Sequence, residues 1–274
     1  MIMPELPEVE TIMTLVKQRV ENKKIKKTKV LNPKLRWPID SKKVKGLNNK
    51  TISSVFRRGK YLIIEFHSKK EILIIHLGMT GVISFNNIKD YIKHKHDHFL
   101  LFFSDFMFVF NDVRKFGSIH ICDDLEKMFL IKNLGVEPLS DEFNTKYLYQ
   151  LSKKRSCTIK EFIMNQKIVV GVGNIYATEA LFLSKIHPAM RVNKLTLLKC
   201  ERLVINIKSI LLKAIKMGGT TIKDYVNAEG KPGYFTQKLL IYQKDTCPIH
   251  KNNKVTNIKL SGRASYFCDK CQIK

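Results

Sequence analysis

Two sets of residues in this chain have the types and spacing to do chemistry. The first is Pro4-Glu5. An α-amino group has a pKa near ~7.8 against ~10.4 for Lys, so a sizeable share of it is free base at neutral pH. If translation starts at Met3 and that Met is removed, Pro4 offers a secondary amine beside a carboxylate. Attack of such an amine on a sugar C1′ gives an iminium that is cationic at every pH, an electron sink for later elimination in the manner of a Lys Schiff base. Glu5 can carry the accompanying proton. A proline that merely opens a helix looks the same, and on these two residues both readings stay open. Met1-Ile2 precede Met3, so Pro4 nitrogen is an amide in the chain as written, and Ile2 is too large for ordinary removal of Met1. The expected functional start is therefore Met3.

The second set is Cys247, His250, Cys268 and Cys271, spaced as Cys-x2-His, 17 residues, Cys-x2-Cys. Two close pairs of soft ligands around a hairpin-sized insert predict closed tetrahedral coordination, the mark of a structural zinc ion. Ser261-Gly262-Arg263 falls at the turn of that hairpin and puts an Arg at its tip, where it suits a phosphate or a groove. Cys122, Cys157 and Cys200 are scattered and read as small buried hydrophobes in a reducing cytosol.

Two glycine-bearing stretches follow the same logic of donors. Val169-Val-Gly-Val-Gly-Asn-Ile-Tyr176 lacks the third glycine and the βαβ context of a dinucleotide fingerprint. It reads as backbone N–H groups and Asn174 offered to a phosphate at the start of a helix from Tyr176 to Ser184, with a plain interhelix turn as the alternative. The loop from Gly218 to Phe235 is long, and its Gly and Thr residues expose backbone donors of the kind an extruded base edge requires.

The elements that must position these groups show in the periodicity. Val9, Ile12, Met13, Val16 and Val20 recur at helical spacing after Pro7, with Glu8 and Glu10 in the first turn. Tyr61 to Phe66 and Ile72 to His76 are strand-like runs bounded by Gly59 and Gly78, and His98 to Phe103 and Phe106 to Phe110 flank a Ser104-Asp105 turn. Their aromatic and β-branched content predicts a sandwich or barrel. After Pro138-Leu139 the period becomes helical: Tyr147 to Ile186 reads as helices, and Leu197 to Ile215 as one long amphipathic helix stopped by Gly218-Gly219. The domain boundary is expected between Gly135 and Asn144.

Composition frames the partner. The chain has 274 residues, 49 Lys plus Arg against 24 Asp plus Glu, and a net charge of +25, which points to a polyanion. A genome rich in A and T would supply much of the Lys without selection for binding. The Arg residues are scarce, and Arg57, Arg58, Arg114, Arg155 and Arg263 lie in or beside the segments singled out here. Apolar runs such as Phe99 to Phe103 fall short of the roughly 18 residues of a membrane span, and no secretory signal is expected.

Taken in order, Pro4-Glu-Leu-Pro-Glu-Val-Glu-Thr11, Arg58-Gly-Lys-Tyr61, His76-Leu-Gly-Met79, Lys95-His-Asp-His98, Asp112-Val-Arg-Lys-Phe-Gly117, Val170-Gly-Val-Gly-Asn-Ile-Tyr176, the Gly218 to Phe235 loop and Gly262-Arg-Ala-Ser-Tyr-Phe-Cys268 resemble the formamidopyrimidine-DNA glycosylase branch of the bifunctional DNA glycosylases. The resemblance implies an α+β fold of two domains: an N-terminal catalytic β-sandwich with flanking helices over 1–135, a linker over 136–150, a helix-two-turn-helix domain over 151–240 with a lesion-capping loop at 218–235, and a β-hairpin zinc finger over 241–274. It implies a monomer in the bacterial cytosol that acts on damaged double-stranded DNA, away from any membrane, excising 8-oxoguanine and formamidopyrimidines and cutting the abasic strand by β,δ-elimination. By the same resemblance Pro4 is the Schiff-base nucleophile and Glu5 the glycosylic acid/base. Lys60 is the lysine of β-elimination and phosphate binding, and Arg263 the arginine of δ-elimination. His96, Arg114, Arg155 and Asn174 match DNA contacts, Lys160 lies on the lesion side, and Met79, Arg114 and Phe116 fill the gap left by the flipped nucleotide.

This chain departs from the family pattern at His250, where Cys is usual, at Lys115, where a second Arg is usual, and in carrying Met1-Ile2 before Met3. Zinc accepts imidazole, whereas Lys keeps charge and loses bidentate contact. Two other readings remain: an endonuclease VIII-type glycosylase for oxidised pyrimidines, and a non-catalytic zinc-ribbon nucleic-acid-binding protein. The second accounts for charge and cysteines without using Pro4, Glu5 or Lys60.

Overall fold

The computed structural model describes residues 4–220 and 235–273. The expected start at Met3 and nearly all of the loop at 218–235 lie outside the described residues. The chain forms two compact units, one holding Pro4 and Glu8–Lys132, the other Glu5–Pro7, Asn133–Thr220 and the described residues from Phe235 on.

In the first unit, helix α1 (Leu6–Val20) supplies the apolar stripe its period predicts, with Val9, Ile12, Val16 and Val20 all buried. Strands β1 (Lys27–Val30), β2 (Ile52–Arg58), β3 (Tyr61–Phe66), β4 (Ile72–His76), β5 (Gly81–Asn87), β6 (Asp97–Phe102), β7 (Phe106–Asp112) and β8 (Ser118–Cys122) follow, with a short helix α2 (Ser41–Lys45) after β1. They pair antiparallel into two sheets of four strands, ordered β1-β6-β7-β5 and β2-β3-β4-β8. Leu62, Ile64, Leu73 and Ile75 from one sheet and Phe99, Leu101, Phe108 and Phe110 from the other share a core with α1. That is the expected sandwich, closed by face-to-face burial of β-branched and aromatic side chains.

The second unit is helical: α3 (Thr145–Lys153), α4 (Ile159–Met164), α5 (Asn174–Leu183) and α6 (Leu197–Lys216). Asn144, Thr158 and Thr196 accept backbone N–H bonds as N-caps of α3, α4 and α6. Helix α6 stops where expected, with Gly218 and Gly219 at φ of 74° and 80°. A hairpin of β9 (Thr256–Leu260) and β10 (Arg263–Phe267) ends the described chain, turning through Ser261 and Gly262 at φ of 45° and 78°. Two successive positive φ values make this the hairpin turn whose twist matches its strands.

Three expectations need correction. Of Cys122, Cys157 and Cys200, only Cys200 is buried; the other two are half-exposed on β8 and ahead of α4. Helix α5 starts at Asn174, two residues before the expected Tyr176, because Gly173 caps it from an extended conformation. The third correction concerns what occupies that helix terminus, which belongs to the site itself.

Candidate active site

In the second unit the N-terminus of α5 is occupied by a carboxylate of the protein's own. Glu5, 2% exposed, accepts a hydrogen bond at Oε1 from Ile175 N–H at 3.1 Å. An acid at this end of a helix is a favourable pairing. The glycines that read as a phosphate cradle are what admit it: a Cβ on Gly173 would lie 2.1 to 2.5 Å from the Glu5 carboxyl atoms, and one on Gly171 would lie 2.5 Å from the Leu6 side chain. Leu6 N–H also donates to the Gly171 carbonyl at 3.2 Å. The Val-Gly-Val-Gly-Asn stretch is thus the seat of Glu5 and Leu6, and Pro4, the residue before them, is buried.

Around Glu5 the same unit gathers further charge. Lys160 on α4 is 1% exposed and donates from Nζ to the Ala264 carbonyl at 2.8 Å and to Ser265 Oγ at 2.7 Å. Burial pulls its ammonium down to about 7; the Glu5 carboxylate acts against that pull and the Arg263 guanidinium adds to it. Glu5 and Arg263 thus both act on Lys160, and Arg263 itself is exposed at the start of β10. The Asn174 side chain, next to the Glu5 seat, bonds the Tyr242 hydroxyl. Arg155 stands apart, exposed just after α3.

In the first unit Lys60 sits in the tight turn between β2 and β3, where Gly59 takes φ of 57°. Arg57 braces that turn by donating from Nη1 to the Gly59 carbonyl at 2.9 Å while its Nε pairs with Glu10 on α1 at 2.5 Å. Strand register puts Tyr61 opposite His76, their rings 4.8 Å apart. Burial lowers the His76 pKa to about 4, helped by Lys60, Arg36 and His120. Gly78 N–H donates to His76 Nδ1 at 3.0 Å, which leaves the proton of the neutral ring on Nε2.

Met79, Arg114 and Phe116 come together through backbone contact of their loops. A Cβ on Gly78, which takes φ of +63°, would lie 2.4 Å from Gly117 N and from the Phe116 carbonyl carbon. Thr80 fastens the two loops: its Oγ donates to Asp112 Oδ1 and accepts from Arg114 N–H at 2.9 Å. Asp112, fully buried, also accepts from Gly117 N–H at 2.7 Å, and its carbonyl bonds His98 Nε2 at 2.8 Å. On this frame Phe116 stays 43% exposed, and the Arg114 guanidinium lies over its ring at 4.8 Å from the centroid. Both side chains stand exposed beside the Thr80 and Asp112 frame. His96 lies half-buried just before β6, its carbonyl accepting from Asp112 N–H at 3.0 Å.

At the base of the hairpin the ligand atoms of Cys247, His250, Cys268 and Cys271 all lie within 4.8 Å of one another. The Cys247 and Cys271 sulfurs are 3.7 Å apart, and His250 Nδ1 lies 3.2 Å from Cys271 Sγ and 3.7 Å from Cys268 Sγ. A tetrahedron with Zn–S bonds of ~2.3 Å has edges of about 3.8 Å, so the donor set fits a single metal ion through the Nδ1 face of His250.

Sequence reasoning passed over several supports. Buried Glu179 accepts from the N–H groups of Leu240, Ile241 and Tyr242 at 2.7, 3.0 and 2.7 Å and so holds the chain where it enters the finger. Burial pushes its carboxyl up against those three donors. Gln272, also buried, ties Cys268 N–H to the Ile186 carbonyl. A lone Glu inside the apolar run of α5 was the one signal available for Glu179.

Comparison with known proteins gives matches over nearly the whole chain. The sequence model of the formamidopyrimidine-DNA glycosylase N-terminal domain matches residues 3–119, and that of the H2TH domain of the same enzymes matches residues 134–226. The chain is similar to the formamidopyrimidine-DNA glycosylase of Hydrogenovibrio crunogenus, 44% identical over 277 residues that cover 98% of this chain and 96% of the relative. It is similar also to the one from Wolbachia pipientis, at 42% identity and 98% and 100% coverage. Among solved structures, a complex of the Lactococcus lactis Fpg with DNA containing an abasic site matches at a TM-score of 0.90 and 35% identity, covering 98% of this chain and all of that one. A complex of an inhibited form with DNA containing an N7-benzyl-Fapy-dG matches at 0.91 and 35%, covering 99% of this chain and all of that one.

Proposed function

The chain belongs to the formamidopyrimidine-DNA glycosylase family, and on that footing we propose how its residues divide the work of excising an oxidised purine and opening the strand at the abasic sugar. The protein is a base-excision-repair DNA glycosylase and abasic-site lyase. Pro4, freed as a secondary amine, attacks C1′ while Glu5 transfers the proton that accompanies departure of the base. The iminium acidifies the C2′ proton; as a base removes it, the C–H electron pair forms the C2′–C3′ double bond and the C3′–O bond breaks, expelling the 3′-side phosphate, with Lys60 assigned to this proton transfer and to binding the phosphate. Loss of the C4′ proton expels the 5′-side phosphate, the step assigned to Arg263. His96, Arg114, Arg155, Asn174 and Lys160 serve the DNA, and Met79, Arg114 and Phe116 fill the void of the flipped nucleotide, repaying part of the unstacking cost of a few kcal/mol. Cys247, His250, Cys268 and Cys271 hold one zinc ion, which keeps the hairpin folded and takes no part in the reaction.

The observation that carries this reading is the buried Glu5 carboxylate seated on the α5 N-terminus, one residue from Pro4. The seat holds an acid beside the amine that the reaction needs. Borohydride trapping tests it: a covalent adduct on duplexes carrying 8-oxoguanine opposite C is expected. Trapping only on thymine glycol opposite A would move the enzyme to the pyrimidine branch, and trapping on neither would overturn the assignment of Pro4. Intact mass of the active protein should correspond to a chain beginning at Pro4.

A further inference from the structure

Arg263 occupies an exposed position whose placement the metal alone does not explain. The hairpin is pinned at its base by the Cys247, His250, Cys268 and Cys271 set, while Arg263 begins β10 at the other end, beside the turn. Five residues of strand at ~3.3 Å each separate Arg263 from Cys268, a lever of about 16 Å. A second fixing point lies on helix α4. Lys160 Nζ donates to the Ala264 carbonyl and to Ser265 Oγ at 2.8 and 2.7 Å. The next residue, Glu161, accepts a hydrogen bond at Oε1 from Ser261 Oγ. The two attachments bracket Arg263 in sequence, one at position 261 and the other at 264 and 265.

Both grips are themselves held. Glu161 closes the capping box of α4, its Oε2 accepting from Thr158 N–H at 2.8 Å and from Thr158 Oγ at 2.7 Å. Its carboxyl is held below the usual range by the Ser261 hydroxyl first and by Thr158 next, so it faces the hairpin as a fixed anion. Lys160 is encased by the helix and the hairpin, with Glu5 and Arg263 the charged groups that act on it.

We propose that Lys160 and Glu161 are positioning residues for Arg263: together they clamp the zinc hairpin on both sides of the arginine and set where its guanidinium stands during the second elimination. This inference rests on the function proposed above. It predicts a selective defect. The first elimination, which Arg263 does not serve, proceeds when the clamp is loosened, while the second slows.

The test uses the full-length, zinc-loaded enzyme on a duplex with a single abasic site, and reads the ratio of the unsaturated-aldehyde product of β-elimination to the phosphate-ended product of δ-elimination. Ser261→Gly removes the hydroxyl without strain at a positive φ, and Glu161→Ala removes its acceptor. Each is expected to lower the share of δ product about three- to tenfold with trapping yield and zinc content unchanged. The double variant should be no worse than either single one, as for partners in one bond. Lys160→Met is expected to lower it further. Unchanged product ratios in Ser261→Gly and Glu161→Ala, with trapping intact, would overturn the clamp and leave the enzyme reading standing. Equal loss of both eliminations would also overturn it, as a merely structural effect. Wild-type protein that neither traps nor cuts would overturn the enzyme reading itself.

Discussion

The glycine at 173 exists for the sake of another residue's carboxylate. Because its Cβ would fall 2.1 to 2.5 Å from Glu5, Gly173→Ala must displace either the acid or the helix end. Overpacking of this kind costs about 1–3 kcal/mol. Since the displaced group is the proposed proton carrier, we expect single-turnover base excision to fall by about 100-fold or more while the melting temperature drops by only a few degrees. His76 makes a prediction of the opposite kind, about stability and pH. Its folded-state pKa of about 4 lies below the ordinary value of 6.5 because the ring is buried among Lys60, Arg36 and His120. Between those two values the unfolded chain binds a proton that the folded chain does not, so stability rises with pH there and is lost as pH falls from 6.5 toward 4. Thermal melts from pH 8 to 4.5 should show a shallower acid loss in His76→Gln than in wild type. At this scale the sequence disclosed residue types and withheld partners. Pro4, Glu5, Lys60, Arg263 and the four metal-ligand residues were singled out from their spacing or their resemblance. In the sequence Gly171 and Gly173 suggest a phosphate cradle or an interhelix turn, because the side chains they admit, Glu5 and Leu6, lie about 170 positions away.

Among the elements, those with a strong period were legible and those held by tertiary bonds were not. Helices α1 and α6 and strands β3, β4, β6 and β7 follow from apolar spacing that burial then uses directly. Strand β5 carries Ser84, Asn86 and Asn87, and β2 carries Ser53, Ser54, Arg57 and Arg58; polar residues at half-buried positions hide their period. The Thr80 and Asp112 frame was equally hidden, because no local pattern foretells a hydroxyl that joins two loops more than thirty residues apart. Removing it with Thr80→Val leaves a buried carboxylate oxygen and the Arg114 N–H without their partner. The cost should be about 1–3 kcal/mol in a denaturant titration, and trapping on a duplex should weaken more than trapping on single-stranded substrate, where no void needs filling. The hairpin has a small apolar base: among the described residues Phe182, Ile241, Cys247 and Cys268 form a buried cluster with Leu240, Val255 and Cys271 packed on it, so the proposed zinc ion should matter most for this element. Cys268→Ser, or prolonged chelation, should release one zinc per chain and lower duplex affinity at least about tenfold, measured by metal analysis beside a binding titration.

For the whole molecule, we propose that only a handful of the cations behind the charge of +25 touch DNA. Binding that neutralises Z phosphates weakens with salt at a slope of roughly −0.9Z in a double-logarithmic plot. If the specific contacts are the handful named, the slope should lie near −4 to −6, and Arg155→Ala should reduce it by about 1; a slope several times steeper would mean that the scattered lysines bind too. Sequence composition predicted a polyanion and said nothing of how many cations meet it, because surface lysines leave no periodic trace. The seat of Glu5 carries a last consequence, in the order of synthesis. Synthesis runs from the amino to the carboxyl end, so Pro4 and Glu5 are made before the glycine turn that holds Glu5, about 170 residues ahead of it. At roughly 5–20 residues per second that interval is on the order of ten to thirty seconds. Throughout it Glu5 has no seat, so trimming that exposes the Pro4 amine is expected to precede folding of the site.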